Sequence, residues 1–176
     1  MDRATSTTIV IAVIVLTLAG MVLGWRGRQR RQSGLGRPEA VPADTGRELA
    51  SGEGFYVATT IADEELNRVA IAGLGYRARA TVIVTDAGVI LALVGEPDAF
   101  VPRAAIRGID RATHAIDRAV EKGGLVRITW TLGADGPAGT DVDSYLRITD
   151  PAESTAIIAA VGALLPTTTP MEGDAL

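Results

Sequence analysis

The sequence of 176 residues lacks cysteine altogether and contains one histidine, His114. Without cysteine, the chain has no disulfide framework, no thiolate metal site and no cysteine nucleophile. A histidine-based catalytic triad would have to use His114, whose flank RATHAID supplies Asp117 but neither a nucleophile turn nor a metal-ligand spacing. The sequence therefore predicts a protein that is not an enzyme and that has no cofactor and no metal.

Motifs for binding phosphate and calcium are also incomplete. The string GLGYRAR at residues 73–79 contains G-x-G, but it leads into a strand and not into a helix N-terminus. Its glycines are better explained by a turn or a bulge. The acidic turn with Asp135, Asp141 and Asp143 lacks the EF-hand spacing, so no calcium site is expected.

Charge is distributed unevenly along the chain, although the net charge is only −4. Residues 26–37 carry five arginines and no acid, whereas residues 38–176 carry 11 basic and 20 acidic side chains, a balance of −9. An acidic body repels nucleic acid and anionic headgroups at long range. The sequence therefore predicts no nucleic-acid partner, and it associates the basic segment with a membrane.

The N-terminal region contains 22 uncharged residues between Arg3 and Arg26. A helix that rises about 1.5 Å per residue crosses a hydrocarbon core of roughly 30 Å with this length. Trp25 falls where an interfacial aromatic is expected. The alternative is a cleaved signal peptide, but the n-region MDR has no net side-chain charge and the apolar run is too long. We therefore predict a retained transmembrane anchor at residues 1–25.

The orientation of this anchor follows from four arginines placed directly behind it: Arg26, Arg28, Arg30 and Arg31. Basic residues near a span remain in the cytoplasm. The sequence therefore predicts a single-pass protein of the cell membrane, with its N-terminus outside and its body in the cytoplasm. The alternative to a lipid-binding role is that these arginines serve topology alone.

Gly20 and Gly24 stand at GxxxG spacing inside the apolar run. Two glycines four residues apart let a second helix backbone approach closely, which predicts a homodimer through the transmembrane helix. The alternative is that they have no such role, because glycine is common in membrane helices.

The remaining chain divides into three segments. Residues 26–51 contain glycine, proline, serine and charge without a hydrophobic period, which predicts a basic juxtamembrane segment and flexible linker. Residues 52–166 show strand patterns followed by a helix pattern, and we expect one domain there. Residues 167–176 are polar and are expected to be a disordered tail.

Within the domain, alternating apolar residues and turn signals predict a strand followed by two hairpins. The predicted strand covers residues 55–61, and the predicted hairpins pair residues 77–85 with 89–95 and residues 125–133 with 141–149. In residues 125–133, Val126, Ile128, Trp130 and Leu132 are expected to point inward. Residues 101–117 are ambiguous between an extended strand followed by an irregular segment and a helix.

The chain then changes to a helical period at residues 150–166. Asp150 is expected to cap the helix, Pro151 to take its first position and Glu153 to complete a capping-box-like pattern, while Pro166 ends it. One apolar face contains Ile157, Ile158, Val161, Leu164 and Leu165. Antiparallel strands closed by one amphipathic helix predict a mainly β fold, a bent sheet or partly open barrel that the C-terminal helix caps. The alternative is a helix that stands free as an amphipathic arm.

This arrangement resembles the pleckstrin-homology-like (PH-like) superfold. The strings FYVATT, RVAIAGLGYRARATVIVTDAGV, AIDRAVEKGGLVRITWTLG and SYLRI, behind one N-terminal span, resemble a family of small actinobacterial membrane proteins. These are described as PH-like-domain or export/membrane proteins and are often encoded among pyrimidine-biosynthesis genes. The resemblance implies a PH-like domain and brings no catalytic residues with it.

Two groups of arginines are candidates for binding an anion. Arg77 and Arg79 alternate with alanines and share one face of a strand, and Arg103, Arg107 and Arg111 are expected to share another face. The alternative is a solvated surface paired with nearby acids, namely Asp63, Glu64, Glu65 or Asp110.

These observations lead to one main functional hypothesis and one rival. The first is a membrane-tethered, non-enzymatic PH-like domain that recruits an unidentified cytoplasmic protein. The rival is a ligand- or lipid-headgroup-binding sensor, or an accessory subunit of a membrane export system.

Overall fold

The computed structural model of this chain describes residues 11–24, 35–71, 73–115, 118–119, 124–133 and 139–166. They belong to two units, Met1–Leu35 and Gly36–Leu176. In the first unit, residues 11–24 form helix α1. Within the described ranges, no helix is both long enough and apolar enough to cross a membrane. Trp25, the tail at 167–176 and the topology arginines (Arg26, Arg28, Arg30 and Arg31) lie outside the described residues.

Helix α1 is apolar around its whole circumference. Its large aliphatic side chains are exposed on every side, and no atom lies within 4 Å of the position that a Cβ would take at Gly20 or Gly24. The hydroxyl of Thr17 donates to the carbonyl of Val13, 2.8 Å away, so this polar group is satisfied within the helix.

The second unit is mainly β and ends in one helix. Its strands are β1 (Glu48–Ile61), β2 (Glu64–Arg68), β3 (Ala78–Thr85), β4 (Gly88–Leu93), β5 (Ala99–Pro102), β6 (Ile106–Ala112), β7 (His114–Ala115), β8 (Arg118–Ala119), β9 (Leu125–Leu132) and β10 (Thr140–Ile148). A short 3-10 helix (Arg103–Ala105) separates β5 from β6, and α2 (Pro151–Leu164) follows β10.

The main sheet is antiparallel and open, with the order β5-β4-β3-β1-β10-β9-β6. Strand β2 pairs with β1 beside this path, and β7 pairs with β8 separately. Both predicted hairpins are confirmed, since β3 pairs with β4 and β9 pairs with β10. The predicted inward residues of β9 are also confirmed as core: Val126, Ile128, Trp130 and Leu132 are each at most 1% exposed. The sheet with its C-terminal helix agrees with the predicted fold class.

The segment predicted as a linker differs from the structure in its second half. Strand β1 begins at Glu48 and pairs with β3 from there, four residues before the expected domain boundary. Upstream of β1, the carbonyl of Glu39 accepts from the amide of Phe100 in β5, 3.0 Å away, and Gly36 lies against the backbone of Gly133. We call residues 36–47 the strap, because they lie along the domain. These contacts are made by backbone atoms, which a hydrophobic pattern does not report.

The strap is fixed near its end by the turn between β3 and β4. The amide of Ala87 donates to the carbonyl of Thr45, and the carboxylate of Asp86 accepts from the amide of Arg47. Gly46 adopts a left-handed conformation here, with φ of 72°, which only glycine takes without strain.

The ambiguous segment, residues 101–117, is mostly extended and contains no α-helix within its described part. Strand β6 pairs with β9 in a register that shifts between Ile106 and Gly108. Such a bulge puts an extra residue on one strand and reverses which face the following side chains occupy. The expectation that Arg107 and Arg111 share a face is therefore wrong. Arg107 donates to Thr131 on β9, whereas Arg111 donates to the hydroxyls of α2.

Helix α2 begins as predicted, with Asp150 as its cap and Pro151 in its first turn. One carboxylate oxygen of Asp150 accepts from the amides of Ala152 and Glu153. The capping-box role of Glu153 is corrected, because its carboxylate accepts from the amide of Glu53 on β1, 3.1 Å away. This contact ties the start of the helix to the sheet.

The apolar face of α2 is buried against the sheet, chiefly against β1. Ile157 and Val161 are fully buried, and Leu164 is 4% exposed. Burying each such side chain is worth roughly 1.5–3 kcal/mol. Gly52 makes the close approach possible, because a Cβ there would stand 3.0 Å from the Cδ1 of Ile157. The helix therefore caps the sheet and is not a free arm.

We expect the strap to contribute measurably to stability. Removing it breaks backbone hydrogen bonds that are typically worth about 0.5–1.5 kcal/mol each. A fragment of residues 48–166 should therefore unfold with a free energy about 1–3 kcal/mol lower than that of residues 35–166. Urea titration followed by fluorescence measures this, since both fragments contain Trp130 as their one tryptophan. Equal unfolding free energies would mean that the strap is a passive linker.

Candidate functional site

The space between the sheet and its covering segments contains a buried polar network. The hydroxyl of Tyr56 lies 2.9 Å from the hydroxyl of Thr59 and 2.9 Å from the carbonyl of Leu74. Thr59 lies 2.7 Å from the hydroxyl of Ser144, which also accepts from the indole N–H of Trp130 at 2.9 Å. All four side chains of this hydrogen-bonded network are at most 1% exposed. The network links three strands of the sheet, so its role is structural.

Burial governs the protonation of two tyrosines. It raises the pKa of Tyr56 to about 12, because a phenolate there would be desolvated. Burial also raises the pKa of Tyr145, with a further contribution from the carboxylate of Asp143. Both tyrosines are therefore neutral near neutral pH.

The outer face of the sheet carries a basic and aromatic surface centred on Phe55. Within the sheet register, Phe55 on β1 lies opposite Arg79 on β3 and opposite Arg147 on β10. The guanidinium of Arg77 stands over the ring, 5.4 Å from its centroid, which is a cation–π distance. We call Phe55, Arg77, Arg79 and Arg147 the Phe55 patch. Its three arginines are exposed and its phenylalanine is half-buried.

Two exposed apolar side chains adjoin the Phe55 patch. Tyr76 precedes Arg77 and is 79% exposed. Val94 is 72% exposed, and its amide donates to the carbonyl of Arg79, 3.0 Å away. Large apolar groups on the surface next to arginines are typical of binding surfaces.

The structure brings Arg77 and Arg79 together as expected, and it adds Arg147, which the sequence did not indicate. Arg147 is far from the other two in sequence and lies across Phe55 from Arg79, because β10 pairs with β1. The alternation of DVDSYLRIT places it outward, but nothing local tells which strand lies beside it. Whether these arginines bind an anion stays a prediction.

A groove of about 620 Å³ adjoins the Phe55 patch. Phe55, Arg79 and Val94 contribute to its lining, together with acidic residues from β1 and from the β10–α2 junction: Glu53, Asp150 and Glu153. The groove therefore has arginine and apolar groups in one part of its lining and carboxylates in another.

The candidates Arg103 and Arg107 lie elsewhere and have intramolecular partners. Arg103 donates from Nε to the carbonyl of Leu164 at the end of α2, 3.0 Å away. Arg107 donates to Thr131 and to the carbonyl of Ala104. The first contact places a positive charge at a helix C-terminus, where it is favourable. Anion binding at either residue stays a prediction.

Acidic residues form a second polar surface on β6, β9 and β10. Asp110 accepts two hydrogen bonds from Arg127, one of them from Nε at 2.9 Å, and these raise the pKa of the guanidinium. Asp143 accepts from Thr129 at 2.6 Å. Asp110, one of the four acids expected to pair with the arginine rows, thus pairs with Arg127.

The remaining candidates add no chemistry to these surfaces. Among the described residues, no group of three or more histidine, aspartate or glutamate side chains is placed to hold a metal ion. Asp117 and Asp135 lie outside the described residues, and of His114 only the backbone is described, in β7.

A family match agrees with this architecture. Residues 35–162, which are 128 of the 176, match the family described as bacterial PH domain-like, and the chain belongs to this family. A chain in a solved structure titled "The 8S snRNP Assembly Intermediate" is 9% identical, with a TM-score of 0.46 over 80% of this chain and 98% of that one. No curated protein matches the chain. The PH-like part of the predicted resemblance is confirmed, while its actinobacterial, membrane and gene-neighbourhood parts stay predictions.

The buried Tyr56 predicts a loss of stability at alkaline pH. The pKa of Tyr56 is near 12 in the folded protein, whereas the pKa of an unfolded tyrosine is near 10. The contribution of neutral Tyr56 to the free energy of unfolding is therefore complete below about pH 10 and is lost as the pH rises towards 12. The loss should reach about 2–3 kcal/mol in the free energy of unfolding. Urea titrations between about pH 9 and 12 measure it.

Tyr56→Phe is the matched variant for this experiment. It should be less stable than the parent near neutral pH by about 1 kcal/mol, since a buried hydrogen bond is lost, and it should lose less stability at high pH. Some alkaline loss should remain because Tyr145 is shifted in the same direction. If the variant shows the whole alkaline loss of the parent, Tyr56 does not cause it.

Proposed function

We propose that the protein is a membrane-tethered PH-like domain that recruits another protein to the cytoplasmic face of the cell membrane, without catalysing a reaction. The observation that carries the proposal is the Phe55 patch, in which exposed arginines surround an aromatic ring. Aromatic residues and arginine are enriched at protein interfaces and at their energetic hot spots.

The proposed tether rests on the sequence and on the surface of α1. The 22 uncharged residues between Arg3 and Arg26 include all of α1, which exposes aliphatic side chains on every side. A helix that is apolar all round requires apolar surroundings. Arg26, Arg28, Arg30 and Arg31 favour an orientation with the domain in the cytoplasm.

The strap shortens the segment that connects the proposed anchor to the domain, because residues 36–47 lie on the domain and do not belong to the linker.

A second candidate function is a sensor of lipid headgroups or of a small anion. The exposed guanidinium groups of Arg77 and Arg79 favour it, since arginine binds phosphate through paired hydrogen bonds. The charge of −9 on residues 38–176 opposes long-range attraction to an anionic leaflet. The protein-recruitment function is therefore preferred. An accessory role in a membrane export system, the other part of this rival hypothesis, stays a prediction.

Association of two chains through α1 is a further part of the proposal. The open face at Gly20 and Gly24 fits a second helix backbone. A dimer would present two Phe55 patches to one partner and increase its apparent affinity.

The topology can be tested with reporters fused after Leu176. We expect a fused alkaline phosphatase to be inactive and a fused fluorescent protein to be bright, because the arginine excess follows the apolar run. Replacing Arg26, Arg28, Arg30 and Arg31 by serine should reduce this bias. An active phosphatase on the unmodified chain would contradict the cytoplasmic location.

Recruitment through the Phe55 patch can be tested by photo-crosslinking in cells. A benzophenone amino acid placed at Tyr76 should form protein adducts, and the same group at Leu66 should form few. Both positions are 79% exposed, but Leu66 lies on β2, which pairs with the end of β1 that is distant from Phe55. Arg79→Ala should weaken the adducts from position 76. Equal adducts from both positions would count against the patch as the recruiting surface.

A further inference from the structure

Two arginines of the Phe55 patch, Arg77 and Arg79, are exposed and have few partners among the described residues. Neither Arg77 nor Arg79 forms a hydrogen bond or ion pair through its side chain with a described residue, and the contact of Arg77 is with the ring of Phe55. By contrast, Arg103, Arg107, Arg111 and Arg127 all donate to carbonyl, hydroxyl or carboxylate groups of the domain. The domain is acidic overall, but it thus presents two exposed guanidinium groups that can donate hydrogen bonds to a binding partner.

The groove beside the patch limits how charge can be distributed on a binding partner. Its lining joins Arg79 and the apolar side chains of Phe55 and Val94 to the carboxylates of Glu53 and Glu153. The carboxylate of Glu153 accepts from the amide of Glu53, and this contact holds it at the start of α2. A negatively charged group is therefore attracted by the arginines at one part of the groove and repelled by the carboxylates at the other part.

Extended anionic surfaces do not fit this arrangement. A leaflet of anionic lipid or a run of nucleic-acid phosphates would bring negative charge to both parts of the lining at once. A short peptide segment differs, because it can place acidic side chains on one side of an apolar residue only. A groove of about 620 Å³ is also within the usual size range of concave binding sites.

We propose that the Phe55 patch and its groove bind an extended segment of a partner protein in which an apolar or aromatic residue is followed or preceded by acidic residues. The apolar residue packs on Phe55 and Val94, and the acidic residues receive hydrogen bonds from Arg77 and Arg79. The inference rests on the proposed recruitment function and specifies the chemistry of the recruited partner.

The test is a selection from a phage-displayed library of random peptides. The bait is the full chain in nanodiscs of neutral phosphatidylcholine, so that the lipid offers no competing anionic surface. We expect the selected peptides to share an apolar or aromatic residue next to at least two acidic residues. The same selection on Arg79→Ala should lose this pattern, while Arg47→Ala should retain it. Arg47 is the matched control because its side chain is 78% exposed and it lies in the strap.

A selected peptide then gives a quantitative measurement. Fluorescence anisotropy should show about tenfold weaker binding to Arg79→Ala and unchanged binding to Arg47→Ala, as expected for loss of one hot-spot contact. Binding should also weaken when the salt concentration rises from about 50 to about 500 mM, since the arginine contacts are exposed. Far-ultraviolet circular dichroism of both variants checks that each remains folded.

Three results of the selection would overturn the inference: no enrichment, enrichment of basic peptides, or enrichment that survives Arg79→Ala. A fourth would be loss of peptide binding when the nanodiscs contain anionic phosphatidylglycerol, if this loss depends on Arg79. The last result would assign the patch to lipid. The selection does not depend on which side of the membrane holds the domain. A failed topology test therefore removes the cytoplasmic location from the proposed function, and a failed selection removes the peptide chemistry proposed here without deciding the location.

Discussion

Strand β1 is the constraint on which the rest of the domain depends, because both of its faces and both of its edges are used. Its edges pair with β3 and with β10, which joins the two predicted hairpins into one sheet. On one face, Gly52 lets Ile157 and Glu153 of α2 approach closely. On the other face, Phe55 lies between two arginines. The register of β1 with β10 shifts between Tyr56 and Ala58, and a bulge of this kind bends the strand locally.

The two faces of β1 have different roles, since the inner face contributes to stability and the outer face is available for binding. The inner face is occupied by α2 and by the network from Tyr56 to Trp130, so its polar groups already have partners inside the protein. A ligand there would have to displace hydrogen bonds between fully buried groups, which is costly. The outer face at Phe55 has exposed arginine donors beside a half-buried ring. Substitutions at the patch should therefore change binding with little effect on the fold.

Local sequence signals identified both hairpins, helix α2 and the second half of β1, but they did not identify strand β2 or the long-range partners of the elements. The alternation in β9 identified Val126, Ile128, Trp130 and Leu132 as core because one face of that strand is buried. Asp150 and Pro151 identified the start of α2 because capping is a local interaction. The strap was missed, since its contacts join Glu39 to Phe100 through backbone atoms. Arg147 was missed for a similar reason, because its place beside Phe55 depends on strand order.

The arginines of the candidate site also show that the sequence pattern alone does not determine the role of a residue. The sequence presents five similar arginine candidates in the domain, and the fold assigns them different roles. Arg103 supplies the positive charge that the last turn of α2 lacks, and Arg111 donates to the hydroxyls of that helix. The bulge in β6 separates Arg107 from Arg111, so the expected row does not form. Only at Arg77 and Arg79 does the fold add an aromatic ring and a third arginine to the sequence pattern. An arginine whose donors already have internal acceptors stabilises the domain, whereas an exposed arginine over a half-buried ring is suited to binding a partner.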